Sequence, residues 1–376
     1  MKITYLFNSS IPSNLPSSLQ VAKMCEGMQE NSHNVSLITP MPGQGNFLKF
    51  YNIKTKFNLY KIKYFKKYPL GLNYYLFSII SIFYAIKLKS DLFVTRNFFT
   101  CFLLVILKKK TIFEIHHDIT SEGRIVKFLF NNFKIFNCES VIKVVAISNG
   151  VKKYLIADLG TSKKKIQVLP SASGLNIKNW RGNINVKKNK INIGYFGSLE
   201  KTKGVNFLIK LSKKDKSNNY FIFGGTKENV KIFRKKIISN NLLVKSHVPY
   251  KDLKNYLLKM DVLVMPYDKK VVRSAGGIGN ISKYMSPLKL FDYLASGKLV
   301  IATKINSIEE IVQNKKNCIL INKLDVFDWY NEIKLIIKHK KRYEQIAKNG
   351  FELSKKYTYN LRAKKFLDLK WKQKRN

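Results

Sequence analysis

Acidic residues are scarce in this chain of 376 residues, which has 23 Asp and Glu against 69 Lys and Arg and a formal net charge of +46. Arginine is scarce as well, since only eight of the basic residues are arginines. Proteins that read nucleic acid favour arginine for bidentate contacts with guanine and phosphate, so nucleic acid is a disfavoured partner. Solvated surface lysine explains most of the charge, and an anionic lipid surface is the second explanation.

Cysteine is also rare, because the chain has four cysteines that lie far apart and form no C-x-x-C pair. This spacing excludes a disulfide scaffold and a zinc ribbon, and it is typical of proteins in a reducing cytosol. The chain opens with the short apolar run Ile3–Phe7 rather than with a leader sequence. We therefore expect a cytoplasmic protein.

One uncharged stretch approaches the length of a membrane span. Residues 69–86 read PLGLNYYLFSIISIFYAI and are flanked by lysines, whereas a span requires about 20 residues. The Asn, Tyr and Ser residues in this stretch suit lipid poorly, and they favour a helix buried against a sheet with one face near a membrane. The basic, aromatic-rich segment Phe47–Tyr84 predicts peripheral contact with the anionic inner face of the plasma membrane.

Short apolar runs rich in β-branched residues alternate with longer segments of helical spacing along the chain, a pattern typical of parallel sheets covered by helices. The polar stretch Ser171–Lys190 interrupts the alternation, which restarts at Ile191–Phe196. We expect an α/β protein with two Rossmann-like domains, 1–178 and 186–357, that face each other across a cleft. In such sheets ligands bind beyond the carboxyl ends of the strands.

The loop after Ile191–Phe196 is the first candidate site. Gly197 permits close approach of the backbone to a ligand, and Lys203 precedes a predicted helix whose first amides attract anions. Together these features predict a phosphate site. The alternative is an ordinary strand–helix turn with a solvated lysine.

The helix predicted after Ser286 is the second candidate site. Ser286 is a suitable N-cap, Pro287 suits the first helical position and Gly297 suits the C-terminal cap. Lys289 lies in the first turn, and Asp292 lies three residues later on about the same face. The lysine would hold a diphosphate and the aspartate would accept hydrogen bonds from sugar hydroxyls, unless the two are a surface ion pair.

These loops resemble the group 1 (family 4) retaining glycosyltransferases, which have the GT-B fold. The matching segments are FGSLEKTKG at 196–204, HVPYKDLKNYLLKMDVLVMPY at 247–267, SPLKLFDYLASGKLVIAT at 286–303 and SIEEIV at 307–312, together with 3–28, 113–118 and 144–155 near the start. The resemblance implies a hexosyltransferase with an N-terminal acceptor domain and a C-terminal nucleotide-sugar domain. It also implies a C-terminal helix, 358–376, that returns towards the N-terminal domain.

The resemblance assigns roles to individual residues. It implies diphosphate contacts from Gly197, Ser198, Lys203, Arg273, Ser286, Pro287, Leu288 and Lys289. It implies ribose or sugar contacts from Asp292, Gly277 and Asn280, base contacts from Gly224, Val248 and Pro249, and a phosphate-facing first loop at Asn8, Ser9 and Ser10. His116 or His117 matches the catalytic cleft histidine, and the sequence does not choose between them.

Three positions depart from the family pattern. Ser198 stands where most members carry a phosphate-binding arginine, Tyr284 replaces the first glutamate of the E-x7-E motif, and Asp292 replaces the second. A subgroup with an S-P-L-K-x-F-E-Y helix shares the first two features. The departures are therefore typical of a subgroup, and they leave the donor sugar unidentified.

No metal or cofactor is expected, because adjacent side chains on a strand point to opposite faces. His116 and His117 cannot then readily bind one ion, and the sequence has no D-x-D loop. We expect a nucleotide diphosphate-sugar as donor and a cell-surface glycan or lipid-linked acceptor, as in polysaccharide or lipopolysaccharide biosynthesis. The alternatives are a nucleotide-sugar 2-epimerase of the same fold and a non-enzymatic protein that binds polyanions or membranes.

Overall fold

The apolar runs form two separate parallel sheets, which confirms the predicted α/β class. The computed structural model describes residues 1–41, 43, 45–63, 70–119, 123–180, 183–186, 190–235, 237, 239–273 and 280–369. The chain divides into two compact units. The N-terminal unit comprises Met1–Ser171, Tyr284–Ser286 and the segment from Tyr359 onwards, and the C-terminal unit comprises Ala172–Lys283 and Pro287–Thr358.

The N-terminal unit is built on a seven-stranded parallel sheet in the order β3-β2-β1-β4-β5-β6-β7. Its strands are β1 (Lys2–Leu6), β2 (Asn34–Pro40), β3 (Asn58–Ile62), β4 (Leu92–Thr95), β5 (Thr111–Ile115), β6 (Val141–Ala146) and β7 (Ile166–Val168). Its helices are α1 (Pro16–Glu30), α2 (Phe47–Tyr51), α3 (Leu70–Lys87), α4 (Phe98–Ile106), α5 (Arg124–Asn132), α6 (Asn149–Ala157) and the last helix, α14 (Tyr359–Leu367).

The C-terminal unit is built on a six-stranded parallel sheet in the order β10-β9-β8-β11-β12-β13. Its strands are β8 (Asn192–Phe196), β9 (Asn219–Phe223), β10 (Leu242–Lys245), β11 (Val262–Met265), β12 (Leu299–Thr303) and β13 (Ile319–Ile321). Its helices are α7 (Val205–Lys214), α8 (Lys227–Arg234), α9 (Tyr250–Leu258), α10 (Leu288–Ala295), α11 (Asn306–Glu309), α12 (Val326–Lys338) and α13 (Lys340–Ser354).

The strand order reverses direction beside the first strand of each sheet. In the C-terminal unit, β8 has β9 on one side and β11 on the other. Loops that leave two such neighbouring strands diverge to opposite faces of the sheet, and a ligand crevice opens at that point. The loop that begins at Gly197 therefore starts at the crevice of its own unit.

The long apolar stretch forms α3, which buries one face against the N-terminal sheet. Its serines lie on that face, where Ser81 Oγ donates to the carbonyl of Ser78 and Thr100 Oγ1 donates to Ser78 Oγ. Its outer stripe contains Ile79 and Phe83, both exposed. Pro69 lies outside the described residues, and within the described chain no helix combines the length and apolarity needed to cross a membrane.

Helix α14 returns to the N-terminal unit and packs closely on α1. A Cβ on Gly27 of α1 would lie 2.5 Å from the carbonyl oxygen of Tyr359. A side chain larger than that of glycine would therefore push the two helices apart. This contact places Arg362 of α14 beneath the sheet, where its side chain is buried.

Candidate functional site

Two glycines allow the loops after β8 and β9 to touch. A Cβ on Gly224 would lie 1.6 Å from the carbonyl oxygen of Gly197, and a Cβ on Gly197 would lie 2.4 Å from Lys289 Nζ. Gly197, which is predicted to contact the diphosphate, has no side chain. Lys289 therefore occupies the space that a side chain at this position would fill. Gly224, predicted to face the base, permits the contact between the two backbones.

The ammonium group of Lys289 is enclosed although the residue as a whole is only half-buried. Its Nζ lies 3.9 Å from the ring centroid of Tyr195 and 5.2 Å from that of Tyr267. Among the described residues it has no hydrogen-bond acceptor. Burial, and then the neighbouring charge of Lys203, hold the pKa of Lys289 well below its ordinary value. Buried polar groups are otherwise hydrogen-bonded, so this group points to an anionic ligand.

Lys203 lies beside Lys289, in the short turn that precedes α7. Its Nζ donates a hydrogen bond to Ser198 Oγ at 3.0 Å, so Ser198 contacts the lysine that is predicted to bind the phosphate. Burial lowers the pKa of Lys203, and Glu200 acts in the opposite direction. Gly204 ends the turn with φ +77°, and a Cβ there would lie 1.8 Å from the Pro266 carbonyl oxygen.

Helix α10 begins later than predicted. Leu288 is its first residue, Pro287 occupies the N-cap position, and no side chain caps the helix. Ser286 is not the N-cap, because its hydroxyl accepts a hydrogen bond from the Ser171 amide at 2.9 Å. The competing partner lies 115 residues away, out of reach of any local rule. The uncapped first turn still presents backbone amides beside Lys289.

Asp292 is buried within the C-terminal unit. Its Oδ1 accepts hydrogen bonds from Ser173 Oγ at 2.6 Å and from the Tyr250 hydroxyl at 3.3 Å. Tyr250 is the first residue of α9, directly after the predicted base-contact residues Val248, which is buried, and Pro249. The predicted ribose residue is thus linked to the loop predicted to meet the base.

The loop at 273–280 is only partly described. The amide of Arg273 donates to Thr202 Oγ1 at 3.0 Å, which brings this loop beside the turn that carries Lys203. The Asn280 amide group is engaged within the loop, since its Oδ1 accepts from Val272 N and its Nδ2 donates to the Lys270 carbonyl. Gly277 lies outside the described residues. Asn280 therefore holds the loop in shape.

One residue that the sequence analysis missed aligns α10 with β8. The Tyr293 hydroxyl accepts a hydrogen bond from the Phe196 amide at 2.7 Å, and its side chain is buried. Tyr293 follows Asp292 directly in the motif, and an aromatic residue with a polar tip on a short helix is the signal that could have found it.

In the N-terminal unit, His116 and His117 have different surroundings. His116 Nε2 lies 3.2 Å from Oε1 of Glu114, a fully buried carboxylate at the end of β5. Burial, and then the charge of Arg96, lower the pKa of His116 to about 3. His117 is exposed. The buried charged cluster therefore includes His116, and Glu114 is a residue that the sequence analysis missed although it interrupts an apolar strand.

The predicted first loop follows β1. Asn8 is exposed, while Ser9 and Ser10 are half-buried. The Ser10 carbonyl accepts a hydrogen bond from Ser18 Oγ at 3.3 Å. Within the described ranges, no three His, Cys, Asp or Glu side chains are grouped so that they could hold a metal ion.

Two family models match the chain in succession. Residues 18–172 match glycosyltransferase family 4, and residues 176–353 match glycosyl transferases group 1. The chain therefore carries a glycosyltransferase family 4 domain followed by a group 1 glycosyl transferase domain. The second match contains both lysines of the candidate site.

One relative by sequence matches part of this chain. An uncharacterized 41.2 kDa protein in the cps region of Klebsiella pneumoniae is 34% identical over 128 residues, which is 32% of this chain and 35% of that protein. The chain thus spans about a third of the length of this relative. The match shows that the two proteins are related over this segment, and it carries no activity over to this chain.

Solved structures show the same fold across the whole chain. HepE of Anabaena in complex with UDP-glucose has a TM-score of 0.68 at 16% identity, covering 98% of this chain and 99% of that one. The lipopolysaccharide outer core galactosyltransferase WaaB has 0.67 at 12% identity, covering 99% and 100%. UDP-GlcNAc 2-epimerase from Neisseria meningitidis has 0.62 at 12% identity, covering 98% and 99%. These likenesses confirm the GT-B fold.

We expect Lys289→Met to raise the free energy of unfolding of the ligand-free glycosyltransferase at pH 7 by about 1–3 kcal/mol. Methionine fills similar volume without a buried charge that lacks an acceptor. Because the folded state depresses the pKa of Lys289, the unfolded state binds more protons below the ordinary pKa of 10.5, so this cost shrinks as the pH rises towards that value. Urea unfolding at about pH 7 and pH 9.5 measures the difference.

The matched control for this prediction is Lys210→Met, which removes an exposed lysine from α7. It should leave the free energy of unfolding within about 0.5 kcal/mol of wild type at both pH values. A Lys289→Met protein that is less stable than wild type at pH 7 would show that the ammonium group stabilises the ligand-free fold.

Proposed function

We propose that this protein transfers a sugar from a nucleotide diphosphate-sugar to an acceptor, and that its C-terminal unit binds the donor. The observation that carries the proposal is the pair Lys203 and Lys289, which lie together at the crevice end of β8. Lys289 has a buried ammonium group with no acceptor among the described residues. A diphosphate supplies that acceptor and offsets the repulsion between the two lysines.

The chemistry follows from where charge develops. When the sugar–phosphate bond breaks, negative charge builds on the leaving diphosphate, and ammonium groups fixed beside it stabilise the transition state. The amides in the first turn of α10 add the positive end of a helix dipole. These groups support a metal-independent reaction. Retention of configuration is proposed on the family resemblance.

Two of the three departures from the family pattern fit this arrangement. Ser198 takes a hydrogen bond from Lys203, so the position that lost an arginine still orients a cation. Tyr284 belongs to the N-terminal unit, where its ring lies 5.7 Å from that of Tyr154. The donor sugar is therefore recognised without the first acid of the family motif.

We further propose a cell-surface glycan or lipid-linked acceptor and peripheral binding to an anionic membrane. The supporting feature is a surface that we call the α3–α4 face, formed by the outer stripes of α3 and α4. Ring contacts run from Tyr75 to Phe99 at 4.8 Å, from Phe99 to Phe102 at 6.0 Å and from Phe102 to the exposed Phe133 at 5.8 Å. An apolar face of this kind suits the boundary of a bilayer.

The edges of the α3–α4 face carry several exposed lysines, together with the exposed Asp91. Exposed cations on and beside its helices are Lys87, Lys89, Lys108, Lys110 and Lys134. Lysines near an anionic leaflet contribute about 1 kcal/mol each. The expected contact narrows from the segment Phe47–Tyr84 to this face, because Ile79 and Phe83 on the outer side of α3 are exposed.

Two other functions make different predictions. A 2-epimerase would convert one nucleotide sugar into another and release nucleotide without any acceptor. A non-enzymatic polyanion-binding protein would use the general basic surface and would not discriminate among nucleotides. The buried position of Lys289, which bulk electrostatics does not require, favours a small anionic ligand over a polymer.

The activity test is incubation with UDP-, GDP- and ADP-sugars, with and without a membrane extract as acceptor, read by mass spectrometry. We expect release of one nucleoside diphosphate together with addition of one hexose mass to an acceptor, and no loss of activity in a chelator. Nucleotide release that needs no acceptor would identify the epimerase. No consumption of any donor, together with binding of nucleic acid or lipid alone, would contradict transfer.

Lys203→Ala should lower the affinity for the nucleoside diphosphate found in that test by about tenfold to a hundredfold, since hydrogen bonds to charged groups contribute about 1.5–3 kcal/mol. Isothermal titration calorimetry measures the affinity. Lys201→Ala is the matched control, because Lys201 lies in the same turn and is exposed. Equal affinity in wild type and Lys203→Ala would remove Lys203 from the site.

Membrane binding is tested by cosedimentation with vesicles of phosphatidylcholine alone or mixed equally with phosphatidylglycerol. We expect binding to the anionic vesicles that weakens at high salt and falls about tenfold in Phe83→Ser, because burial of a phenylalanine contributes about 1.5–3 kcal/mol. Phe327→Ser in the C-terminal unit is the control, since Phe327 is 60% exposed and Phe83 65%. Unchanged binding of Phe83→Ser, or no binding at low salt, would refute the assignment.

A further inference from the structure

The carboxylate of Glu114 collects polar side chains from distant parts of the N-terminal unit. Its Oε2 accepts hydrogen bonds from Arg96 Nε and from the Tyr5 hydroxyl, both at 2.9 Å. Its Oε1 accepts a hydrogen bond from Arg362 Nη2 at 2.6 Å and lies 3.2 Å from His116 Nε2. None of the Glu114 side chain reaches solvent. The cluster thus ends at His116, whose side chain is partly exposed.

The charges of this cluster do not cancel. One carboxylate faces two guanidinium groups, which leaves a net positive charge beside the imidazole of His116. Burial raises the pKa of Glu114, but Arg96 and Arg362 outweigh this effect and hold it well below its usual range. The other titratable groups facing the cluster, Tyr5 and Cys25, are uncharged because burial raises their pKa values. A proton on His116 would add a second uncompensated charge, so the imidazole stays neutral.

Arg362 is fixed from several sides. Its Nε donates to the Pro170 carbonyl at 2.7 Å and its Nη2 also donates to the Leu169 carbonyl at 3.1 Å. It contacts Glu114, which lies 248 residues earlier in the sequence. The helix that carries it, α14, packs against Gly27. Arg96 alone would neutralise the carboxylate. The second guanidinium group is therefore more than stability requires, since burying an additional charge is costly.

We propose that Glu114 is a positioning residue for His116 and that Arg362 supplies the charge that fixes the pair, so that helix α14 completes the reaction centre of the N-terminal unit. The proposal rests on the proposed function, because it takes His116 as the histidine that contacts the donor sugar. A proton on Nε2 would be directed at the carboxylate 3.2 Å away and would leave Nδ1 as a hydrogen-bond acceptor. His116 then orients a hydroxyl group and does not act as an acid.

Arg362→Met is the decisive variant, and two readouts are used. The first is the titration of His116 by NMR, with the resonance identified among the five histidines by its loss in His116→Gln. Wild-type His116 should not titrate above pH 5, because its pKa is about 3. Burial and the charge of Arg96 still act on His116 in this variant, so removal of the Arg362 charge should raise that pKa only part of the way, and the His116 resonance should begin to shift at a higher pH than in wild type. Arg362→Lys should restore the wild-type curve.

The second readout separates turnover from binding. With the nucleotide sugar selected in the activity test, Arg362→Met should lower kcat by about tenfold to a hundredfold, as expected for a displaced reacting group, while KM stays within about twofold. Arg342→Met, which removes an exposed arginine from α13, should leave both unchanged. Thermal unfolding of each variant shows whether it is folded under the assay conditions.

The outcomes are distinguishable from failure of the proposed function. If His116 titrates identically in wild type and folded Arg362→Met, the positioning role is overturned whether or not the protein transfers sugar. If the titration shifts and kcat does not change, the cluster is structural and His116 lies outside the reaction. If no nucleotide sugar is consumed by wild type, the proposed function fails while the titration still tests the charge coupling.

Discussion

The candidate site depends on one ammonium group that the fold buries and that has no acceptor within the described part of the chain. Lys289 can occupy its position because Gly197 has no side chain, and its Nζ rests over the ring of Tyr195. Aromatic faces attract cations but replace little of the lost hydration. The ligand-free state is therefore held at some cost in stability, and an anion that enters the pocket relieves it. Functional sites commonly store free energy in this way.

The two units handle buried charge in opposite ways. In the C-terminal unit, Lys289 and Lys203 repel each other and lack a buried counter-ion among the described residues. In the N-terminal unit, Glu114 is surrounded by donors, with guanidinium groups on both of its oxygens. The first arrangement is poised for an anionic ligand, whereas the second is rigid before any ligand arrives. A transferase needs both, since it must bind a charged donor and hold its reacting groups still.

The net charge of +46 does not indicate where these buried charged groups lie. Most lysines lie at the surface, where water and salt screen them, and they dominate any count of composition. Lys289 differs from the buried Lys23 and Lys143, because these two donate hydrogen bonds whereas the ammonium group of Lys289 has no acceptor among the described residues. The same contrast applies to α3, whose apolar composition predicted a buried helix. Its serines form hydrogen bonds beneath the helix, next to the buried Phe77 and Ile82, whereas Ile79 and Phe83 remain exposed on the outer side.

The sequence by itself determined the α/β class, the strand–helix loop at Gly197–Gly204 and the helix that carries Lys289 and Asp292. These features are encoded locally, in the alternation of apolar runs and in the spacing of glycine, proline and lysine within a few residues. Tertiary structure alone decided that Ser286 bonds to Ser171 instead of capping α10, that Asn280 stabilises its own loop, and that His116 joins a buried cluster. Each of these outcomes depends on partners far away in the chain. Arg362 reaches Glu114 only because the last helix packs against the first, and no local pattern records that contact.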